Sequence, residues 1–313
     1  MSRFHPDLAA ARFIPKFSFS PGLLRVLRRP RPKMPPVAGI RIEDLTVPGA
    51  DGAPDVEVRV YDPAGRAPGS PALLWLHGGG FLIGDPEQDE ASSIAFAREL
   101  GMLVVAPRYR LAPEHPAPAA VHDAYSALTW LFGEAAARSV DPGRIAIGGA
   151  SAGGGLAAGL ALYAHDRGEV RPAFQLLVYP MLDDRTVLRT DLDTRGVRGW
   201  TPASNRFGWT SYLGGPPGAA DVSPYAAPAR RADLTGLPPA WIGVGSLDLF
   251  HDEDCAYAFR LQAAGVGCEL LVIEGAFHGF DSIMRKAGVS REFWRAQADA
   301  LRAGLAIAEE SGA

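Results

Sequence analysis

A single serine, Ser151, stands among glycines and alanines in the stretch 145–157, which reads IAIGGASAGGGLA. Residues 149–153 fit the pattern G-x-S-x-G, in which a serine on a sharp strand-to-helix turn presents its hydroxyl as a nucleophile. Two other interpretations compete, an ordinary connecting loop and a phosphate-binding loop. Gly153, Gly155 and Ala158 fit only the loosest dinucleotide pattern, and the sequence has no G-x-x-x-x-G-K-[ST]. The surrounding residues therefore have to decide.

A serine hydroxyl becomes a strong nucleophile when an imidazole, itself oriented by a carboxylate, removes its proton. Among seven histidines, His278 follows the last predicted strand on a loop of small residues, GAFHGF. The same criterion selects Asp248, which follows the penultimate predicted strand in VGSLDLFHDED. The chain order Ser151, Asp248, His278 differs from the orders in chymotrypsin and subtilisin. We predict that these three residues form a catalytic triad.

Attack on an ester carbonyl places negative charge on its oxygen, which fixed N–H donors must stabilise. The glycines of HGGGF, residues 77–81, end a predicted strand and leave their amides uncovered. The amide of Ala152, directly after the nucleophile, is a further predicted donor. The run HDEDC at 251–255 resembles a set of metal ligands, but we interpret its acids as first-turn residues of a helix, where the dipole favours anions.

The order of predicted elements indicates a doubly wound α/β sheet. Alternating residues at 42–49 and 56–63 predict half-buried strands, and nearly continuous apolar runs at 71–77 and 102–109 predict strands covered on both faces. Further strands are predicted at 174–182, 239–246 and 268–275. Helices are predicted over 119–131, 152–165 and 290–309. Strands alternating with helices form mostly parallel sheets, whose ligands bind at the carboxyl ends of the strands. Residues 183–238 break this rhythm and predict a functional insertion such as a lid.

Composition excludes several classes of protein. Two cysteines among 313 residues favour a reducing, cytoplasmic setting and argue against a zinc site, and H-E-x-x-H is absent. No apolar run approaches the roughly 20 residues of a membrane span. Residues 1–36 carry a charge of +7 and the remainder −11, so we expect this arm to pack on its own protein rather than act as a targeting segment or membrane-surface helix. The rest of the sequence has no basic stripe of the kind that would predict nucleic-acid binding.

These motifs together resemble a bacterial member of the hormone-sensitive lipase family of α/β-hydrolase esterases. The resemblance covers most of the chain after residue 40, through HGGGF at 77–81, YRLAPEHPAPA at 109–119, SPYAAP at 223–228, DLFHDE at 248–253 and HGF at 278–280. It implies an eight-stranded, mostly parallel sheet with helices on both faces and a helical cap. The cap would comprise residues 1–40 and 184–225, and the catalytic core residues 41–183 and 226–313.

The resemblance also implies chemistry. Gly79 and Gly80 would donate to the oxyanion together with Ala152, and no cofactor or metal would be needed. The expected partners are a small-molecule ester with a short- to medium-length acyl chain and a second copy of the chain in a homodimer. A lactonase, an amidase or another acyl hydrolase would use the same residues, and a non-catalytic small-molecule receptor would be expected to lose a triad member.

Two features stay open at this point. Ala150 stands where the family usually has a polar residue, so a neighbouring hydrogen bond is expected to be missing. Trp200, Phe207, Trp209 and Tyr212 cluster in the inserted segment. They are expected either to line an acyl or alcohol pocket or to pack within the cap.

Overall fold

A computed structural model describes residues 3–16, 18–28 and 37–307. Within them, eight strands form one sheet in the order β1-β2-β4-β3-β5-β6-β7-β8. Strand β2 pairs antiparallel with β1 and β4, and all other pairs are parallel. The strands are β1 (Ile40–Val47), β2 (Val56–Pro63), β3 (Ser70–Leu76), β4 (Leu103–Pro107), β5 (Val140–Ala150), β6 (Phe174–Val178), β7 (Ala240–Gly245) and β8 (Cys268–Ile273).

Helices cover both faces of this sheet. Successive strand side chains point to opposite faces: Leu74 joins the core on one face, and Leu73 joins the core on the other. The mostly parallel eight-stranded α/β architecture is therefore confirmed. The helices are α1 (Pro21–Leu27), α2 (Glu90–Leu100), α3 (Ala119–Gly133), α4 (Ala152–Arg167), α5 (Pro202–Leu213), α6 (His251–Ala263), α7 (Phe280–Ile283) and α8 (Gly288–Gly304), with 3₁₀ turns at Pro6–Phe13, Ala50–Gly52, Pro86–Asp89, Asp184–Leu188 and Pro228–Arg230.

Some boundaries differ from the sequence prediction. The strand predicted over 174–182 ends at Val178, because Tyr179 turns the chain with φ 36° and a proline follows. The last helix ends at Gly304, five residues before its predicted end. Helix α5 was missed in the insertion, although Thr201 caps its first turn and Gly214 ends it in a left-handed conformation. The described helices include no segment long and apolar enough to span a membrane.

Candidate active site

Ser151 lies alone on a tight turn between a strand and a helix. Strand β5 ends at Ala150 and α4 begins at Ala152, and the serine has φ 57° and ψ −120°. Such a conformation costs a non-glycine residue on the order of 1–3 kcal/mol and persists only when neighbours impose it. Here the Ser151 amide donates to the Val178 carbonyl at 2.9 Å, and the Ser151 carbonyl accepts from the Met181 amide at 3.0 Å.

The glycines around the serine allow the turn to touch neighbouring backbone. A Cβ on Gly149 would lie 2.5 Å from the carbonyl oxygen of Leu76, and one on Gly153 would lie 2.0 Å from the same oxygen. Both distances are far below contact, so larger residues would force the turn away from β3. The group in this space is an acceptor oxygen, which repels a phosphate. The phosphate-loop interpretation is therefore not supported.

The structure brings the three predicted side chains together. The Ser151 hydroxyl lies 2.9 Å from His278 Nε2, and His278 Nδ1 lies 2.8 Å from Asp248 Oδ2. The other Asp248 oxygen, Oδ1, accepts from the Phe250 amide at 2.9 Å. A carboxylate only accepts, so it holds the imidazole proton on Nδ1 and leaves the Nε2 lone pair facing the hydroxyl. All three residues are buried, at 6–7% exposure.

Two aromatic rings hold the imidazole in place. The rings of Tyr179 and Phe250 meet His278 edge to face, with centroids 4.9 and 5.1 Å away. The backbone of the insertion also packs closely against His278, since a Cβ on Gly199 would lie 2.3 Å from the His278 carbonyl oxygen. Sequence reasoning missed Tyr179 and Gly199, because neither belongs to a pattern that predicts contact with a distant histidine.

The glycine loop after β3 lies beside the nucleophile. A Cβ on Gly78 would be 3.5 Å from the Ser151 Cβ. Gly79 and Gly80 have φ values of 121° and 64°, which favour glycine. Within the described part of the chain, no oxygen accepts a hydrogen bond from the amides of Gly79, Gly80 or Ala152. Three uncommitted N–H groups beside a serine hydroxyl can receive a developing negative charge.

His77, another histidine at the end of a strand, supports this loop instead. Its ring stacks on Tyr109 at 4.2 Å, and the Tyr109 hydroxyl donates to the His77 carbonyl at 2.6 Å. Its Nδ1 lies 2.8 Å from the Gly78 carbonyl, which requires the ring to donate there. Tyr109 opens the YRLAPEHPAPA motif, so one function of that motif is to brace the glycine loop.

The inserted segment and the amino-terminal segment contact each other over the site. The hydroxyl groups of Ser18 and Thr201 lie 2.9 Å apart, and the rings of Phe19 and Trp200 are 5.2 Å apart. Trp200 also covers the glycine loop, since a Cβ on Gly80 would lie 2.1 Å from its ring. The amino-terminal segment thus packs on its own protein. Residues 1, 2, 17 and 29–36 of the predicted cap, and 308–313 of the predicted core, lie outside the described residues.

Of the four aromatic residues clustered in the insertion, three are buried in packing contacts and one lines a cavity. Trp209 and Tyr212 are buried, and Tyr212 stacks on Phe81 at 3.7 Å, so both pack the insertion onto the loop that follows the glycines. Phe207 is half-buried and lines a cavity of about 670 Å³ together with Leu249, the residue after Asp248.

The acidic run 251–255 begins helix α6, as expected. His251 Nδ1 pairs with Asp252 at 2.8 Å. Across residues 3–16, 18–28 and 37–307, no group of three or more His, Cys, Asp or Glu side chains is arranged to hold a metal ion.

One acid of this run has a role that the sequence did not reveal. Glu253 is buried and accepts from the amides of Leu182 and Asp183 at 2.8 and 3.1 Å, while the Thr186 hydroxyl donates to its other oxygen. Burial raises the pKa of Glu253 to about 8. This carboxyl ties the start of the insertion to the helix that follows Asp248. The interpretation as a first-turn acid is therefore incomplete.

Because the folded-state pKa of Glu253 lies above its unfolded value, its protonated form stabilises the fold at low pH, and that contribution is lost as pH rises through about 8. We expect the free energy of unfolding to fall by of order 3 kcal/mol between about pH 5 and pH 9, and Glu253→Gln to flatten this fall. Urea unfolding across that range measures it. Asp254, whose pKa burial also raises, keeps part of the slope in both proteins.

The exposed Glu292→Gln serves as the control and should retain the parent slope. An unchanged slope in Glu253→Gln would contradict the assignment of this titration to Glu253.

Comparison with known proteins shows the family to which this chain belongs. Residues 73–282 match a family model described as alpha/beta hydrolase fold. The chain is 37% identical over 262 residues to the carboxylesterase NlhH of Mycobacterium tuberculosis, covering 82% of this chain and 80% of the relative. It is 33% identical over 254 residues to an ethyl acetate hydrolase of Pseudomonas putida, covering 80% and 78%. Among solved structures, a bacterial heroin esterase superposes with TM-score 0.86 at 40% identity, covering 97% of this chain and 98% of that one.

Proposed function

The chain belongs to the α/β-hydrolase fold family and is a carboxylic ester hydrolase of the hormone-sensitive lipase group, and on that premise we propose that Ser151, Asp248 and His278 are its catalytic triad. The observation that carries this proposal is the continuous pair of hydrogen bonds, 2.9 and 2.8 Å long, from the serine through the imidazole to the carboxylate. Their burial protects both bonds from competing water.

The geometry supports an acyl-enzyme mechanism. His278 Nε2 takes the hydroxyl proton while Ser151 Oγ attacks the ester carbon, and the carbonyl oxygen becomes an oxyanion. When this intermediate collapses, the imidazolium gives its proton to the leaving alcohol, and the acyl group stays on Ser151. The same imidazole then deprotonates a water molecule, which attacks the acyl carbon. As the bond from that carbon to Ser151 Oγ breaks and the acid leaves, the imidazolium returns the proton to Oγ. Asp248 stabilises the imidazolium in both halves.

The oxyanion is proposed to bind the amides of Gly79, Gly80 and Ala152, which have no acceptor among the described residues. A Gly80→Ala substitution tests this role. Its Cβ would collide with Trp200 and disfavour φ 64°, displacing the amide. We expect kcat to fall by roughly 10²–10³-fold, the usual effect of losing one donor. Steady-state kinetics on p-nitrophenyl butyrate measures it.

Gly39→Ala is the matched control, because that glycine also has positive φ but has open space where a Cβ would lie. If both variants lost activity equally, backbone strain alone would explain the effect and the oxyanion role of Gly80 would not hold.

The proposed substrates are esters with short to medium acyl chains, bound beneath a cap made of residues 1–40 and 184–225. Ser151 and His278 are each only 7% exposed under the insertion, which leaves little room for a long chain. The similar ethyl acetate hydrolase is named for an acetate ester. Over p-nitrophenyl esters of increasing length, kcat/KM should peak at about two to six acyl carbons and fall beyond about eight. A rise toward longer chains would contradict this substrate class.

The same triad could open a lactone or cleave an amide, so the series includes a lactone and an amide of matched carbon number. The open ester should be cleaved fastest, and a faster lactone would identify a lactonase instead. Tight ligand binding with one acylation and no release would identify a receptor. The presence of all three triad side chains argues against that role.

The proposal also covers the cellular location of the protein, its partners and its oligomeric state. The two cysteines, Cys255 and Cys268, are free thiols, as suits the cytoplasm of a bacterium. The charge of −11 outside residues 1–36 disfavours nucleic-acid partners. A homodimer through the edge strand β8 would cover Val272, together with Phe259, which lies on the adjacent helix α6 and is 61% exposed. Sedimentation velocity that finds only monomers would remove the dimer.

A further inference from the structure

A second cavity lies on the other side of the nucleophile turn from helix α4. It measures about 490 Å³ and opens between α2 and α8, at the carboxyl ends of β3, β5 and β6. Ala150 lines it directly before Ser151, and Tyr179 lines it while its ring contacts His278. Ala150 presents only a methyl group to the cavity, so the residue directly before the nucleophile offers no side-chain hydrogen bond there. One layer of residues therefore separates this space from the proposed triad.

Two carboxyl groups lie on the inner wall. Asp89 accepts from Trp75 Nε1 at 3.0 Å, and Asp281 accepts from the Tyr179 hydroxyl at 2.9 Å. Both acids line the cavity and are half-buried. Burial raises the pKa of Asp281, and electrostatic repulsion from Asp89 adds to the rise. A cation between them would relieve this repulsion.

Helix α8 adds two buried polar side chains to the same wall. Ser290 and Gln297 are 2% and 3% exposed. Ser290 Oγ and Gln297 Nε2 have no hydrogen-bond partner among the residues that the structure describes. Buried polar groups are nearly always satisfied, by protein, by water or by a ligand. Both residues line the cavity, so its α8 wall holds polar groups whose hydrogen bonds the described residues leave unmade.

The outer rim carries the opposite charge. Arg285, Arg291 and Arg295 are exposed, and within the described ranges none of them forms an ion pair with an acid. Glu99 is a single carboxylate at the same rim. Trp294 is half-buried and, with Trp75, supplies aromatic surface between the inner acids and the outer arginines. The cavity thus has a negative inner end, an aromatic middle and a mostly positive mouth.

We propose that this cavity binds a small amphoteric molecule of the amino-acid class with an apolar side chain. Its ammonium group lies against the carboxylates of Asp89 and Asp281. Its carboxylate reaches the arginines of the rim, and its apolar part lies against the two tryptophans. A purely anionic ligand would be repelled by the inner acids. A purely cationic ligand would have to enter past the positive mouth and would leave its arginines without a partner.

Isothermal titration calorimetry of the full chain tests the site with three matched probes: phenylalanine, phenethylamine and 3-phenylpropanoate. We expect phenylalanine to bind with Kd of about 1 mM or tighter, phenethylamine about tenfold more weakly, and 3-phenylpropanoate not measurably. Because the readout is binding and not ester turnover, its result is independent of the proposed esterase mechanism.

Two variants localise the binding. Asp89→Asn keeps an oxygen for Trp75 but removes the charge, and Ala95→Phe fills the cavity from α2. Each should weaken phenylalanine binding at least tenfold, while the exposed Glu57→Gln, which lies outside the cavity, should not. The proposal is overturned if phenylalanine fails to bind the parent at about 10 mM, if 3-phenylpropanoate binds as tightly as phenylalanine, or if both cavity variants bind like the parent.

Discussion

Replacing Ser151 with alanine is expected to abolish ester turnover, lowering kcat/KM for p-nitrophenyl butyrate by roughly 10⁵-fold or more. His278 Nε2 lies 2.9 Å from the serine oxygen, the atom that attacks the ester, and alanine has no such atom. The amides of Gly79, Gly80 and Ala152 would remain and could still polarise a bound carbonyl. We therefore expect a small residual rate above the uncatalysed reaction, and no covalent labelling by a fluorophosphonate.

A second serine near the same histidine provides the control. Ser282 is exposed on α7, four residues after His278, and its hydroxyl donates to the Gly279 carbonyl at 2.9 Å. Ser282→Ala should keep turnover within about threefold of the parent, the size of an ordinary surface change. Thermal unfolding of both variants checks that the fold is retained. Turnover in Ser151→Ala within tenfold of the parent would remove the serine from the mechanism.

The sequence was informative wherever a single local pattern decides the structure. Strands β3 and β4 are buried along their whole length, and each appeared in the sequence as a nearly continuous apolar run. The ends of parallel strands share one edge of the sheet, so residues placed just after those ends could be expected to meet. That rule selected Asp248 and His278 from positions 97 and 127 residues beyond Ser151, before any contact was known.

The insertion could not be predicted in the same way, because its structure depends on contacts between segments that are distant in sequence. Trp200 lies over Gly80 because Asn205 accepts from its indole N–H at 3.1 Å and because Phe19 packs beside it. No periodic pattern encodes these partners. Glu253 illustrates the same limit, since its acidic neighbours gave it an ordinary first-turn interpretation although it is buried against the Leu182 backbone.

The second cavity could not be predicted from the sequence either, although Ala150 marked the position of one of its walls. Ala150 departs from the usual polar residue before the nucleophile, and in the structure it forms the wall between Ser151 and the cavity. Asp89 and Asp281 are 192 positions apart, and only the packing of α2 beside α8 places them in one space.

Asp248→Asn is expected to lower kcat by roughly 10⁴-fold, as the equivalent change does in a serine protease triad. The size of this loss in kcat follows from a change in the tautomer of His278. The Phe250 amide donates to Asp248 Oδ1 at 2.9 Å, so asparagine should place its carbonyl oxygen there and its NH₂ group toward His278. His278 Nδ1 would then accept instead of donate, the ring proton would move to Nε2, and Nε2 could no longer take the proton of Ser151. Burst kinetics with p-nitrophenyl acetate should show slowed acylation.

The neighbouring acid Asp252 makes this result specific. It lies four positions later, is exposed, pairs with His251 and Arg189, and belongs to the acidic run 251–255 that follows Asp248. Asp252→Asn should leave kcat within about threefold of the parent, because its charge is screened by solvent and it does not contact His278. Equal losses in the two variants would mean that the negative field of the helix start, and not one oriented carboxylate, sustains the reaction. A loss confined to Asp248→Asn would leave only the tautomer explanation, because both changes remove one charge and preserve the shape of the side chain.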